Sequence, residues 1–353
     1  MKLPAARGPI SQELFEALPG TVGRLPAGLT DLVRSDPEPD ARVSEDIQIC
    51  LFVCYGLHYD GFDDVDEHWE WDPALLAVRA ALEVAFEDAL LSSVTAPTPA
   101  TIRRGPPAPP VGERGALSAS DLPVHLLEMA SPAHGSAMDA FAHKTASIEQ
   151  FRELVTHRSI KNLREGDQHT WAIPRITGRA KSALITIQAD EYGGGRPGWT
   201  HAELYAQMMR GLDLDPTYGA YINQIPAVSV AAVNIMSLYG LHRRWRAALL
   251  GNLAVIEIGS SIANRRYSEG LARVGASAAA RAFYDEHIEA DAVHEQIAAH
   301  DMCGALAQEH PEQLETILFG ATSTMSLRSL YGTAVLQAFT QGRTSLLATT
   351  TAA

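Results

Sequence analysis

Within residues 284–301, Tyr-Asp-Glu-His-Ile-Glu-Ala-Asp-Ala-Val-His-Glu-Gln-Ile-Ala-Ala-His-Asp, His287, Asp291 and His294 stand at i, i+4 and i+7. At about 100° per residue an α-helix returns these positions to one stripe. Two imidazoles and a carboxylate on one line are the N/O ligands a transition metal takes. Neither Gly nor Pro interrupts the stretch, and Ala290, Ala292, Ala298 and Ala299 favour helix. The same residues also fit a solvated acidic helix carrying two stray histidines.

One stripe is an incomplete metal site, so other elements must supply ligands. Apolar helices with a lone carboxylate are the place to look. In 247–264 the sole ionisable residue is Glu257, among Leu253, Val255, Ile256 and Ile258. A carboxylate buried there must be paired, protonated or metal-bound; an Arg partner or a narrow exposed edge is the plainer account. A second source is 189–203. Gly193, Gly194 and Gly195 stop one helix, and Thr200 with Glu203 forms a capping-box pattern that starts the next. Glu191 therefore closes one helix and His201 opens another. The glycine run is a weak phosphate signal, since no strand precedes it and no Gly-Lys-Ser/Thr follows.

These residues need helices to position them, and helical patterning dominates the chain. Helices are expected near 11–18, 26–34, 46–58 and 74–91, the last after an Asp72-Pro73 start. Further ones are expected at 137–158, 172–192, 200–211, 216–224, 226–240, 243–264, 276–301 and 311–342. No run alternates as a strand does, so the fold class is all-α. Residues 95–121 read as a Pro-rich connection, because Thr-Ala-Pro-Thr-Pro-Ala and Gly-Pro-Pro-Ala-Pro-Pro-Val-Gly sustain neither helix nor sheet ladder. They divide an N-terminal helical extension, 1–94, from a main helical domain, 122–353.

Composition narrows the function classes. The 353 residues are 46% hydrophobic, as in ordinary globular proteins. A net charge of −14, spread along the chain, argues against nucleic acid or an anionic membrane as partner. Cys50, Cys54 and Cys303 are too few for a disulfide framework and fit a reducing cytoplasm. The opening Met-Lys-Leu-Pro-Ala-Ala-Arg-Gly has no apolar core of a signal peptide. The most apolar run, 227–241, falls short of the ~20 residues of a membrane span. The acidic loop 61–73 invites calcium but lacks EF-hand spacing.

As a set, Glu191, His201, Glu257, His287, Asp291 and His294 give three histidines and three carboxylates, a balanced complement for two divalent irons. The arrangement resembles the haem-oxygenase-like di-iron oxidases, or iron-containing redox enzymes. In that family one core helix gives a Glu and a His, a second a Glu, and a third a His-x-x-x-Asp-x-x-His set. Here Glu191 with His201, then Glu257, then His287-Ile-Glu-Ala-Asp291-Ala-Val-His294 match, and the resemblance covers roughly 135–345. The ten-residue step from Glu191 to His201 is similar to the N-oxygenating branch.

The resemblance implies a haem-oxygenase-like helical bundle with an N-terminal extension, acting as a non-haem di-iron oxidoreductase. Two Fe(II) ions, O2 as co-substrate and an external reductant come with it. So does a small amino acid or an amine derived from one, with N-oxygenation, desaturation with ring closure, or C–C cleavage as outcomes. It further implies His201, Glu257 and His294 around one iron, and His287, Asp291 and Glu191 around the other. A substrate carboxylate would pair with an arginine, for which Arg175, Arg179, Arg196, Arg265 and Arg266 are candidates. A ferritin-like scaffold fits less well, since its paired Glu-x-x-His motifs are missing. The competing readings are a metal-free helical interaction protein and a haem-binding protein. No nucleic-acid or membrane partner is expected, and the N-terminal extension is a candidate homodimer surface.

Overall fold

The computed structural model describes residues 1–94, 117–130 and 136–348, and no β-strand occurs among them. The N-terminal part supplies α1 (Pro9–Ala17), α2 (Leu29–Arg34), α3 (Glu45–Gly56) and α4 (Pro73–Ser92). Ser44 Oγ accepts from the Ile47 N–H, and Asp72 accepts from the N–H groups of Ala74 and Leu75. Each cap satisfies donors that the first helical turn leaves orphaned. α3 is buried continuously from Asp46 to Tyr55, the position of a helix apolar all round.

The chain continues through α5 (Leu122–Met129), α6 (Ala137–Lys144), α7 (Ile148–Asn162) and the single turn α8 (Asp167–Thr170). Then come α9 (Gly178–Glu191), α10 (His201–Gly211), α11 (Ala227–Leu241), α12 (Arg246–Glu257) and α13 (Ser260–Arg273). α14 (Ala282–Gln296) runs into a π-helical stretch, Ile297–Gly304, before α15 (Ala305–Glu309) and the long α16 (Leu314–Thr340). Among the described residues no single helix is long and apolar enough to cross a membrane.

Several expected helices are divided. The one over 137–158 breaks at Ser147, which caps α7 in a reciprocal box with Gln150. The one over 243–264 breaks just after Glu257, where Gly259 takes φ +76° and starts α13. Residues 216–224 hold only a short 3-10 turn, Ile222–Gln224. There the Asp215 carboxylate accepts from the Thr217 N–H and Gly219 sits at φ +79°, both turn rather than helix chemistry. Most of the proline-rich connection, 95–116, lies outside the described residues.

The larger hydrophobic cluster runs from Ile10, Leu51 and Phe86 to Leu184, Tyr239, Leu250 and Phe319. The N-terminal helices therefore share one core with α9, α11, α12 and α16. Polar ties follow the same seam: Ala227 N–H donates to Glu45 Oε1 at 2.8 Å, and Asn234 Nδ2 donates to the Gln48 carbonyl at 2.8 Å. A second cluster gathers Phe151, Tyr205, Met208, Tyr267, Phe283 and Phe339 from α7, α10, α13, α14 and the end of α16. α12 crosses α16 at backbone contact. A Cβ at Gly251 would strike the Ile317 carbonyl, and one at Gly320 would strike the backbone of Ala248.

Candidate metal centre

Six side chains that the sequence singles out come from helices of both hydrophobic clusters and meet where these adjoin. α14 carries His287, Asp291 and His294 on one buried stripe, each at most 6% exposed. Glu191 is the last residue of α9 and Glu257 the last of α12, so each helix ends by delivering a carboxylate. His201, the sixth, is the first residue of α10. Thr200 fixes that start, its Oγ1 accepting from the Glu203 N–H while Glu203 Oε2 accepts from the Thr200 N–H. Between Glu191 and His201, Gly193 (φ +62°) packs against the backbone of Trp199 too closely for any side chain. That turn brings His201 Nδ1 to 3.0 Å from Glu191 Oε2.

Two trios result, the ligand atoms within each lying within 4.8 Å of one another: Glu165, His201 and His287, and Glu191, Glu257 and His294. This grouping differs from the expected one. His201 joins His287 rather than His294, because the centre of the His201 ring lies 4.1 Å from that of His287, tilted by 47°. Asp291 stands beside the second trio, with Oδ1 3.6 Å from His294 Nδ1 and Oδ2 accepting from Asn264 Nδ2 at 3.2 Å.

Glu165 was not among the sequence candidates. It lies just past α7, in Lys161-Asn-Leu-Arg-Glu-Gly-Asp, where the neighbouring charges and an i,i+4 pair with Lys161 look like an exposed helix end. The structure buries that end. Gly166 (φ +93°) packs against Glu191, a Cβ there falling 3.2 Å from that of Glu191. Gln188 Nε2 of α9 donates to the Gly166 carbonyl at 2.9 Å. Lys161 Nζ donates to Glu165 Oε1 at 2.9 Å, which leaves Oε2 facing His287 Nε2 at 3.8 Å.

Imidazole orientation is fixed from outside. His287 Nδ1 donates to the Phe283 carbonyl at 2.7 Å, so Nε2 offers its lone pair inward. His294 Nε2 meets Asp190 Oδ2 at 2.9 Å, which turns Nδ1 toward Glu257 Oε2 at 3.3 Å. An outer carboxylate or carbonyl holding one ring nitrogen while the other faces the site is how metal-binding histidines are oriented.

The electrostatics call for cations. Burial alone would lower both histidines, but Glu191 raises His201 to about 9, and Asp291, Glu257 and Asp190 raise His294 to about 11. Burial, with Asp291 and Glu191 nearby, pushes Glu257 up to about 8. Burial also acts to raise Glu191, yet the charge and hydrogen bond of His201 outweigh it and hold that carboxyl at about 2. One atom in each trio, Glu165 Oε2 and His294 Nδ1, is buried without a hydrogen bond. A divalent ion in each trio would satisfy both atoms, and a mixed carboxylate–imidazole set suits iron.

A family model described as iron-containing redox enzyme matches residues 152–329, just over half of the chain, and spans all seven residues. The chain belongs to the iron-containing redox enzyme family. Its all-helical architecture is accordingly the haem-oxygenase-like bundle, and its class is oxidoreductase. No curated protein matches this iron-containing redox enzyme.

The arginines proposed for a substrate carboxylate mostly serve elsewhere. Arg175 donates to the Leu241 carbonyl at 3.2 Å, Arg179 pairs with Asp301, and Arg196 lies over the Trp199 ring. Arg265 is exposed, and Arg266 alone of the five lines the cavity beside the trios.

Proposed function

We propose that this protein is a non-haem di-iron oxidase that uses O2 and an external reductant to oxidise a small amino acid or an amine derived from one. The observation that carries the reading is the pair of adjacent trios, each with a buried, unsatisfied ligand atom aimed inward. Two Fe(II) ions held there would supply the reductive activation of O2, which no side chain offers. The protein's own part is positional. Phe283 and Asp190 fix two imidazoles, Asn264 steadies Asp291, and Glu191 touches His201 of the other trio. A cavity of about 620 Å³ borders both trios, large enough to hold a small substrate away from bulk water.

N-oxygenation, loss of two hydrogens with ring closure, and C–C cleavage all draw on the same oxidant, and pocket shape selects among them. Anaerobic Fe(II) titration with metal counting tests the reading. We expect about two irons per chain in the wild type and about one or fewer in His294→Ala. Stoichiometric haem uptake with a Soret band, or no iron uptake at all, would sink it. Mass shifts of an amino-acid panel after O2 is admitted then separate oxygen gain from hydrogen loss.

A further inference from the structure

The first trio sets two histidines against one carboxylate, and that carboxylate carries a lysine. Lys161 of α7 donates from Nζ to Glu165 Oε1 at 2.9 Å. Among the described residues Glu165 is the one carboxylate within ion-pair distance of Lys161. The other oxygen, Glu165 Oε2, is buried without a hydrogen bond and faces His287 Nε2 at 3.8 Å. One oxygen is thus occupied and one is free for a metal. The second trio differs: among the described residues Glu191 pairs with His201 and Glu257 with His294, with no lysine or arginine on either.

Both ends of the Lys161–Glu165 contact are held in place. The two residues stand at i and i+4 across the end of α7, a spacing that brings side chains together. The Arg164 N–H donates to the Lys161 carbonyl at 3.1 Å. The Gly166 turn pins the Glu165 backbone against Glu191. Burial alone would strip the ammonium of its charge, but Glu165, with Glu191 and Glu257 behind it, keeps it charged. A buried cation robbed of its partner is costly, so Lys161 resists giving up Oε1. Its side chain is 26% exposed, and that surface belongs to the cavity, which Lys161 lines together with Glu165 and His287. His201 does not line the cavity and backs the trio from α10.

A carboxylate holds a metal through one oxygen or through both. Two imidazoles and one carboxylate, with the remaining positions open, form the ligand set of non-haem iron oxygenases. A second oxygen from Glu165 would close one of those positions. In the first trio the side on which it would close is the cavity side.

We infer that Lys161 is a positioning residue: it restrains Glu165 to ligation through Oε2 alone, and so keeps a coordination position of the first-trio metal open toward the cavity for a substrate atom or a small anion. The inference rests on the two-metal reading proposed above and assigns the substrate-facing role to the first trio.

The test uses the full chain loaded with Co(II), whose visible bands weaken as its coordination sphere fills and which needs no turnover. Metal is counted, the bands are recorded, and azide is titrated as the probe of an open position. We expect azide to change the bands of the wild type. Lys161→Met should keep the wild-type Co(II) count, show weaker bands and bind azide about tenfold less tightly, because the anion must then displace Glu165 Oε1. Lys161→Arg, which still donates to Oε1, should restore both. Lys161→Gln, neutral but able to donate, should show a smaller loss and serves if the Met variant misfolds. In a Glu165→Ala background, Lys161→Met should alter neither bands nor azide binding, whereas a lysine that only steadies the fold would disturb both backgrounds alike. A wild-type chain that takes up no Co(II) would sink the two-metal reading and this inference with it. Metal uptake with bands indifferent to azide, wild-type bands and azide affinity in Lys161→Met, or loss of Co(II) itself in both the Met and Gln variants would overturn the role of Lys161 and leave the two-metal reading standing.

Discussion

At the residue scale, Glu165 and His294 carry the sharpest expectations, because each holds a buried ligand atom with no partner. Glu165→Gln keeps the shape and removes one charged oxygen. It should lower iron content to about one per chain while the fold persists, as read by metal counting beside circular dichroism. Protons compete with iron for His201 and His294, so metal uptake should release protons and tighten as pH rises from about 6.5 toward 9. The metal-free fold runs the other way. His201 is raised from 6.5 to about 9, so its contribution is complete below 6.5 and lost as pH rises through 9. Denaturation midpoints at pH 6.5 and 9, with and without Fe(II), should therefore diverge. Glu257 was legible in the sequence because it is the one charge in the apolar stretch 247–264. Glu165 was not, since only the Gly166 turn against Glu191 makes its charged surroundings an interior.

At the element scale, the α12–α16 crossing positions Glu257. Gly251→Ala or Gly320→Ala would force the two backbones apart, at a cost of about 1–3 kcal/mol for an overpacked contact. A fall in Tm together with weaker iron retention is expected. A lower Tm with unaltered iron binding would show that the crossing does not set Glu257. Most helices were visible as apolar periodicity and caps, and Thr200 starts α10 as its side chain suggests, whereas the start at Ser147 lay inside a helix expected to run on. The stop at Gly259 was hidden, because Ile256, Ile258 and Ile262 continue the apolar pattern across it. The π-helical stretch after His294 was equally hidden. A wider turn depends on what packs against it, and Ala298, Ala299 and Met302 look like ordinary helix in the sequence.

For the whole molecule, two buried histidines set the acid limit. Burial lowers His157 to about 3, helped by the charge of Arg158, and lowers His169 to about 4 against the opposing hydrogen bond to Asn252. The unfolded chain takes up protons at these residues near 6.5, so stability is present above that pH and declines as pH falls toward 4. His169→Gln, which can still meet Asn252, should flatten that decline in urea-denaturation midpoints measured between pH 4 and 7.

The family model spans 152–329, yet α1–α4 sit in the same core as α11 and α12. Ala227 and Asn234 bond directly to Glu45 and Gln48 across that boundary. The leading helices are thus no detachable module. Grafting them onto another member, or trading them away by recombination, would require matching changes along α11, so the two parts should be inherited as a unit.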